Sequence, residues 1–298
     1  MGWRTGSNQD VRYFLVAFGI LLGVGRADCQ TRGMVEGRSE LYYESLGAGK
    51  ETIVVVHGGP GLSHDYMRPE WDRLEASGRV IFYDQNGCGK SGRVPPYDWR
   101  SHVQDLDRLL SAVAPNERVV LAGSSWGSML ALYYTYQHKD RVRALILSGV
   151  PIGAVIHQMP GPASQYQPHS SIRMDTANGG TRFGPTARKR SFEPRLAQRI
   201  KEDCADVAER ISMSLRDAPG SLMLASIPVP VLVIHGSNPA QEPGDGGPEL
   251  ARILPNATLI TLPNTGHDPW LDQPTAFFDA ANDFLAELPS IHRATVPH

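Results

Sequence analysis

The residues with the clearest chemical meaning form the pentapeptide Gly-Ser-Ser-Trp-Gly at positions 123–127. An apolar run, residues 119–122, precedes it, and a stretch of helical character, residues 129–136, follows it. A sharp strand-to-helix turn of this kind holds its central serine in a strained conformation and lifts the hydroxyl out of a sheet. Glycines suit the flanks because a side chain there would meet adjacent chain. The pattern predicts Ser125 as a nucleophile.

The elements that must position this serine follow from an alternation of short apolar runs with helical segments. The predicted strands are residues 52–56, 80–83, 119–122, 144–147, 229–234 and 258–262, with an earlier antiparallel strand within 39–46. The predicted helices are residues 66–77, 103–114, 129–138 and 275–288. Such an alternation predicts an α/β fold, with a mostly parallel sheet covered by helices on both faces.

Two glycine-rich segments stand directly after predicted strands. His-Gly-Gly-Pro-Gly occupies residues 57–61, and Asp-Gln-Asn-Gly-Cys-Gly-Lys-Ser occupies residues 84–91. Together with the serine pentapeptide, they resemble the α/β-hydrolase superfamily and, within it, the proline iminopeptidase-like branch. The resemblance covers about residues 35–150 and 226–288. Asn86 replaces an arginine that the branch normally carries, and we interpret the segment around it as architectural, with Asp84 as a hydrogen-bonded structural acid.

The resemblance implies roles for further residues. In this branch the first glycine-rich loop and the residue after the nucleophile supply two backbone N–H groups that stabilise the oxygen charge of a tetrahedral intermediate. We therefore predict Gly59 and Trp126 as the oxyanion donors. His267 follows the strand at 258–262, where the superfamily keeps its general base, and a neutral imidazole both accepts the serine proton and returns it to the leaving group.

The acid that would orient His267 departs from the pattern. After the strand at 229–234 the family reads His-Gly-x-x-Asp, whereas this chain places Pro239 at the Asp position. Glu242 and Asp245 lie in the same loop, and we predict Glu242 as the acid with Asp245 as its rival. Asn238 is an uncharged alternative for orienting the imidazole.

Between Val150 and Ile227, after the predicted strand at 144–147, the alternation of apolar strands stops. We predict an α/β-hydrolase core at residues 35–150 and 226–298 and a helical cap inserted after the sixth strand at residues 151–225. Relatives in this branch hold the free amine of a peptide with acidic residues near the cap. The glutamates available there are Glu193, Glu202 and Glu209, for which solvated helix charge is the competing interpretation.

These features predict a serine hydrolase that forms an acyl-enzyme on Ser125. The resemblance implies an aminopeptidase that releases N-terminal proline or another residue from short peptides. A carboxylesterase or lactonase is the first alternative, since the same serine and histidine act on esters. The altered acid leaves two further possibilities: a slow enzyme with a Ser-His pair, and an α/β-hydrolase-fold binding protein that has lost catalysis.

Composition narrows the partners. The chain has 298 residues, 41% of them apolar, with 29 Lys and Arg against 31 Asp and Glu. Such a balanced charge favours neither nucleic acid nor an acidic membrane surface, so we expect a small-molecule or short-peptide substrate. The sequence has neither a nucleotide-binding loop nor a metal-spaced ligand cluster, which predicts hydrolysis without a cofactor.

The first 27 residues have the pattern of a secretory signal peptide. Arg12 precedes an apolar stretch at 13–24, and a small-residue end follows at 25–27. This predicts a secreted or periplasmic protein without stable membrane association after cleavage; an uncleaved membrane anchor is the alternative. Three cysteines, Cys29, Cys88 and Cys204, do not form a disulfide framework, and whether Cys88 pairs with Cys204 stays open.

Overall fold

The computed structural model describes residues 30–49, 51–151, 205–237 and 246–289. The predicted signal peptide at 1–27 and most of the predicted cap lie outside these ranges. So do the site candidates Glu193, Glu202, Glu242 and Asp245, as well as Cys29 and Cys204.

The described residues contain one eight-stranded sheet. Its strands are β1 (Thr31–Val35), β2 (Leu41–Leu46), β3 (Glu51–Val56), β4 (Gly78–Tyr83), β5 (Val119–Ser124), β6 (Val142–Ser148), β7 (Val231–Ser237) and β8 (Ala257–Pro263). Their spatial order is β1-β2-β4-β3-β5-β6-β7-β8. Strand β2 pairs antiparallel with β1 and β4, and the other pairings are parallel. The predicted mostly parallel α/β sheet is confirmed, and its parallel strands direct their carboxyl ends to one edge.

The central strands are apolar on both faces because both faces are covered. In β3, Val54 and Val56 belong to one core cluster, whereas Ile53 and Val55 belong to the other. This alternation is the two-residue period of a strand, which turns successive side chains to opposite sides. The sheet therefore separates two hydrophobic layers.

Helices cover the two layers. They are α1 (Trp99–Val113), α2 (Trp126–Gln137), α3 (Ala205–Ser214), α4 (Ser221–Leu224), α5 (Gly247–Ile253), α6 (Pro269–Asp272) and α7 (Pro274–Glu287). Helix α1 begins with a capping box in which Asp98 accepts from the Ser101 N–H and the Ser101 hydroxyl accepts from the Asp98 N–H. Helix α7, which the sequence predicted at 275–288, buries Phe277, Phe278 and Leu285.

The prediction of one continuous helix at 66–77 is wrong. The chain forms two 3₁₀ segments, His64–Met67 and Glu70–Ala76, and Arg68 between them is extended at φ −93° and ψ 149°. Pro69 explains the break, because proline has no backbone N–H and disfavours the helical conformation in the residue before it. The second segment still buries Trp71 and Leu74 against the sheet.

The described end of the predicted cap packs into the core. Helix α3 buries Val207 and Ile211 in the same cluster as α1 and α2, and Leu224 of α4 joins them. Cys88 is buried. Within the described ranges, no helix combines the length and the apolar character needed to cross a membrane.

Candidate active site

Ser125 occupies the turn between β5 and α2. Its backbone has φ 56° and ψ −123°, a conformation that non-glycine residues rarely adopt and that costs on the order of 1–3 kcal/mol. The Ser125 N–H donates to the carbonyl oxygen of Ser148 at the end of β6, over 2.9 Å. Its side chain is half-buried, whereas Ser124 and Trp126 on either side are buried. The strained turn thus presents one hydroxyl at the carboxyl edge of the sheet, as the motif predicted.

Close packing explains the two glycines of the motif. A Cβ on Gly123 would lie 2.6 Å from the Gly127 backbone, and a Cβ on Gly127 would lie 2.0 Å from the carbonyl oxygen of Val56. The Ser128 hydroxyl also stabilises the turn, because it lies 2.9 Å from the carbonyl oxygen of Gly123 and 2.8 Å from that of Ser148. The turn is therefore fixed to β3 and β6 by backbone contacts that larger residues would break.

The loop at residues 57–61 lies against the candidate nucleophile. A Cβ on Gly58 would be 3.1 Å from the Ser125 Cβ, 2.8 Å from the Ser124 carbonyl oxygen and 2.7 Å from the Tyr66 hydroxyl. That hydroxyl accepts the Gly58 N–H over 3.0 Å. Gly59 comes next in the loop at φ 119°. The structure therefore brings this loop against the turn at Ser125, directly before Trp126 at the start of α2.

His57, at the start of this loop, is neutral and structural. Its Nε2 accepts the Gln85 N–H over 3.0 Å, so the ring proton is on Nδ1, which donates to the Gly58 carbonyl oxygen over 2.9 Å. Burial lowers the pKa of His57 to about 4, although the Asp84 carboxylate acts in the opposite direction. His57 therefore holds the loop in its neutral form.

Asp84 is a buried acid that organises the neighbouring loop. Its carboxylate accepts the backbone N–H of His64 over 2.9 Å, the His64 Nδ1–H over 2.7 Å and the Lys90 N–H over 2.8 Å. Burial alone would raise the pKa of Asp84, but the hydrogen bond and charge of His64 outweigh burial, and the pKa is lowered. Asp84 is thus the hydrogen-bonded structural acid that the sequence predicted.

His267 follows β8 and is buried at 5% exposure. A Cβ on Gly149 would lie 3.1 Å from its Cε1 and 3.4 Å from its Nδ1, so the imidazole packs on the residue that follows Ser148. Ser148 is also the residue whose carbonyl oxygen accepts the Ser125 N–H. The structure therefore places Ser125 and His267 against two consecutive residues, Ser148 and Gly149, at the end of β6.

The acid candidates Glu242 and Asp245 and the cap glutamates Glu193 and Glu202 lie outside the described ranges. Gly246, the residue after Asp245, donates its N–H to the Val150 carbonyl oxygen over 2.6 Å. Glu209 is exposed on α3, while Val207 and Ile211 of the same helix face the core. Among the described residues, no group of three or more His, Cys, Asp or Glu side chains is arranged to hold a metal ion.

Three side chains that the sequence analysis did not single out contact this site. Tyr66 holds Gly58, Gln85 contacts both His57 and Trp126, and the buried Asp268 places Oδ1 3.5 Å from the Ser124 hydroxyl. Burial, followed by the Asp268 charge, raises the pKa of Tyr66. The sequence offered one signal for these three residues: each lies in, or within a few positions of, a glycine-rich loop or His267.

Comparisons with known proteins agree with this geometry. A sequence profile of the Alpha/beta hydrolase family matches residues 53–280. A proline iminopeptidase from Saccharolobus solfataricus is 36% identical over 115 residues, which are 36% of this chain and 36% of that protein. One from Lactiplantibacillus plantarum is 25% identical over 280 residues, covering 83% of this chain and 97% of that protein. The structure of a thermophilic esterase from Thermogutta terrifontis has a TM-score of 0.69 at 22% identity, covering 87% of this chain and 100% of that chain.

These matches cover different shares of the related proteins. The chain spans only 36% to 39% of the length of three proline iminopeptidases, that of Saccharolobus solfataricus among them. The esterase structure, at its low identity, supports the fold alone. The resemblance predicted from the motifs is confirmed at the level of the superfamily and its proline iminopeptidase-like branch. Because the profile extends from β3 into α7 and so includes all the loops of the candidate site, the chain belongs to the α/β-hydrolase family.

Proposed function

We propose that the protein is a serine hydrolase that forms an acyl-enzyme on Ser125. One observation carries the proposal. The Ser125 backbone is held at φ 56°, and its N–H donates to the carbonyl oxygen of Ser148. The His267 ring packs on Gly149, the residue that follows Ser148. Positive φ at a serine is a strained conformation that surrounding structure must maintain, and such strain is concentrated at functional sites.

The chemistry follows from these groups. The Ser125 hydroxyl oxygen attacks the substrate carbonyl carbon while His267 takes the hydroxyl proton. The N–H groups of Gly59 and Trp126 stabilise the oxyanion that forms. The tetrahedral intermediate collapses, the bond to the leaving group breaks, and His267 gives its proton to that group. Water, activated by the same imidazole, then hydrolyses the acyl-enzyme and regenerates Ser125.

We propose that an acid from the loop at 238–245 orients His267, because Pro239 cannot do so. Glu242 and Asp245 are the two candidates. Glu242 stays the first candidate and Asp245 its rival, as the sequence predicts.

For the substrate, we propose an N-terminal prolyl residue or a similar residue of a short peptide. The proline iminopeptidase of Lactiplantibacillus plantarum, which matches most of the chain, supports this class. An aminopeptidase needs a carboxylate for the substrate amine, and Glu193, Glu202 and Glu209 are the candidates.

One observation favours a second candidate, a carboxylesterase or lactonase. Glu209 is the amine-binding candidate within the described ranges, and it faces solvent on α3. A serine and histidine that act on an ester need no such carboxylate, because an apolar pocket suffices for the acyl group.

Labelling with a fluorophosphonate probe tests the proposed nucleophile. We expect one adduct, on Ser125, located by peptide mass spectrometry. Ser125→Ala should abolish labelling, and Ser111→Ala, at an exposed serine of α1, should leave it unchanged. Folded wild-type protein that forms no adduct on Ser125 would contradict the proposal and favour a binding protein.

Two substrates distinguish the two activities. We expect turnover of proline p-nitroanilide at a rate comparable to that of p-nitrophenyl butyrate if the enzyme is an aminopeptidase. Ester turnover without amide turnover would reject the aminopeptidase and retain the esterase.

A further inference from the structure

Gln85 connects the ends of three adjacent strands. It follows β4 by two residues, His57 directly follows β3, and Trp126 follows β5 by two residues. Because β3 lies between β4 and β5 in the sheet, these three residues meet at its carboxyl edge. All three are at most 2% exposed.

The Gln85 side chain makes one hydrogen bond to each neighbour. Its Nε2 donates to the His57 carbonyl oxygen over 2.7 Å, and its Oε1 accepts the Trp126 Nε1–H over 2.8 Å. The Gln85 backbone N–H adds the bond to the His57 ring over 3.0 Å. A carbonyl oxygen only accepts and an indole N–H only donates, so the partners fix the orientation of the amide.

These contacts hold the two segments that supply the proposed oxyanion donors. Trp126 contributes its own N–H, and the anchored indole fixes the rotation of that residue at the start of α2. His57 begins the loop whose third residue, Gly59, contributes the other N–H. The two donors come from different strand ends, and their separation depends on what lies between them.

We propose that Gln85 is a positioning residue that sets the spacing of the two oxyanion donors. This inference rests on the proposed function. Gln85 does not contact substrate in this mechanism; it acts through Trp126 and His57. Because preorganised donors stabilise the transition state more than the bound substrate, its loss lowers kcat and leaves KM nearly unchanged.

The main test is Gln85→Met, which keeps a side chain of similar length and removes both hydrogen bonds. We expect the rate of Ser125 phosphonylation by a fluorophosphonate to fall about 10- to 100-fold, as displacement of catalytic groups by about 1 Å does elsewhere. With p-nitrophenyl butyrate, kcat should fall by a similar factor while KM changes less than about twofold. Gln104→Ala, at an exposed glutamine of α1, is the matched control.

A transition-state mimic separates positioning from general damage. The oxygen of a catalytic serine adds to the carbonyl carbon of an alkyl trifluoromethyl ketone, and the carbonyl oxygen becomes an oxyanion. The inhibition constant of this ketone should therefore rise by the factor lost from kcat/KM. A proportionate rise of KM, with no loss of kcat, would overturn the proposal.

Trp126→Phe provides a second, independent variant, because it keeps the aromatic packing and removes the N–H that Gln85 accepts. In that background Gln85→Met should lower the phosphonylation rate by a smaller factor than in the wild type, as expected for two residues that act through one contact. Fully multiplicative effects of the two substitutions would contradict the coupling.

The outcomes for the two proposals are distinct. Wild-type protein that is not labelled at Ser125 contradicts the proposed function. Wild-type protein that is labelled, with a folded Gln85→Met variant labelled equally fast, contradicts only the positioning role. If Gln85→Met does not fold, Trp126→Phe decides: an unchanged phosphonylation rate overturns the role, and a fall of about tenfold supports it.

Discussion

The two sides of Ser125 are held by different kinds of contact. On the oxyanion side, defined here as residues 57–61 and 84–91, the buried side chains of Gln85 and His57 each bond to the other residue's backbone. The buried Asp84 carboxylate accepts from the His64 ring and from the Lys90 N–H. On the base side, defined as residues 235–237, 246–247 and 264–268, several of the described contacts join backbone to backbone. Examples are the bonds from Gly246 to Val150 and from Asn264 to Ser237.

The two sides therefore depend on their amino-acid sequence in different ways. The oxyanion side is specified by side chains whose hydrogen-bonding capacity can be read residue by residue, so changes there should alter donor spacing or stability. On the base side, the His267 ring packs on Gly149 and the Gly266 N–H donates to the Asp272 carboxylate. The proposed acid comes from the segment after β7, where Pro239 departs from the family. Changes there should alter proton transfer without loss of the fold.

The largest expected effect comes from His267→Ala. Removing the general base should lower kcat on the order of 10⁵- to 10⁶-fold, as for the histidine of other serine hydrolases, because the serine proton then has no acceptor. His235→Ala, at the end of β7, serves as a control and should retain most activity. Steady-state kinetics with p-nitrophenyl butyrate measures both, and a loss below about 100-fold in His267→Ala would remove it from the proposed mechanism.

Replacement of the proposed acid should have the next largest effect. We expect Glu242→Gln to lower kcat on the order of 10³- to 10⁴-fold, because the imidazolium would lose its charge partner and the imidazole tautomer would no longer be fixed. Asp245→Asn and Asp268→Asn are compared in the same assay. A larger loss in Asp245→Asn would identify Asp245 as the acid instead. No effect in either loop variant would favour a Ser-His pair.

On the oxyanion side, Asp84→Ala should act on stability. The substitution leaves the His64 Nδ1–H and two backbone N–H groups without their acceptor, which should lower the free energy of unfolding by about 3–5 kcal/mol. Urea denaturation measures the change, with Asp279→Ala at an exposed position of α7 as the control, expected within about 0.5 kcal/mol of wild type. Equal stability of the two variants would show that the Asp84 network is not a structural support.

The same side should respond to pH through His57. Its pKa is about 4 in the folded protein and 6.5 in the unfolded chain, so only the unfolded chain takes up a proton between these values. The free energy of unfolding should therefore be highest above pH 6.5 and fall by about 3 kcal/mol as the pH drops toward 4. His102, whose pKa burial also lowers, acts in the same direction.

Urea midpoints between pH 7 and pH 4 measure this loss, and the His57 ring resonances followed by NMR assign it. A His57 that titrates near 6.5 in the folded protein would contradict the buried neutral form.

The smallest expected effect is that of Glu209→Gln. Because the side chain is exposed on the face of α3 opposite Val207 and Ile211, we expect KM for proline p-nitroanilide to change less than about twofold. A rise of tenfold or more, with the ester kinetics unchanged, would identify Glu209 as an amine-binding residue and strengthen the aminopeptidase proposal.

Much of the fold could be predicted because the central strands are buried on both faces and appear as apolar runs. Strand β1 was not predicted, since it lies at the sheet edge and three of its five residues are exposed, which leaves a weak apolar signal. The helix at 66–77 was wrong because Pro69 interrupts it, and the three-residue spacing of Trp71 and Leu74 fits a 3₁₀ segment as well as an α-helix.

The sequence by itself identified Ser125 and His267 as the candidate nucleophile and base and located the loops that accompany them, because strand ends and glycine spacing are local properties. It also exposed the irregular acid position at Pro239. Only the tertiary structure decided that Gln85 joins His57 to Trp126, that Tyr66 holds Gly58, and that the base packs on Gly149. These pairs are distant in sequence, and they meet because parallel strands bring their carboxyl ends to one edge of the sheet.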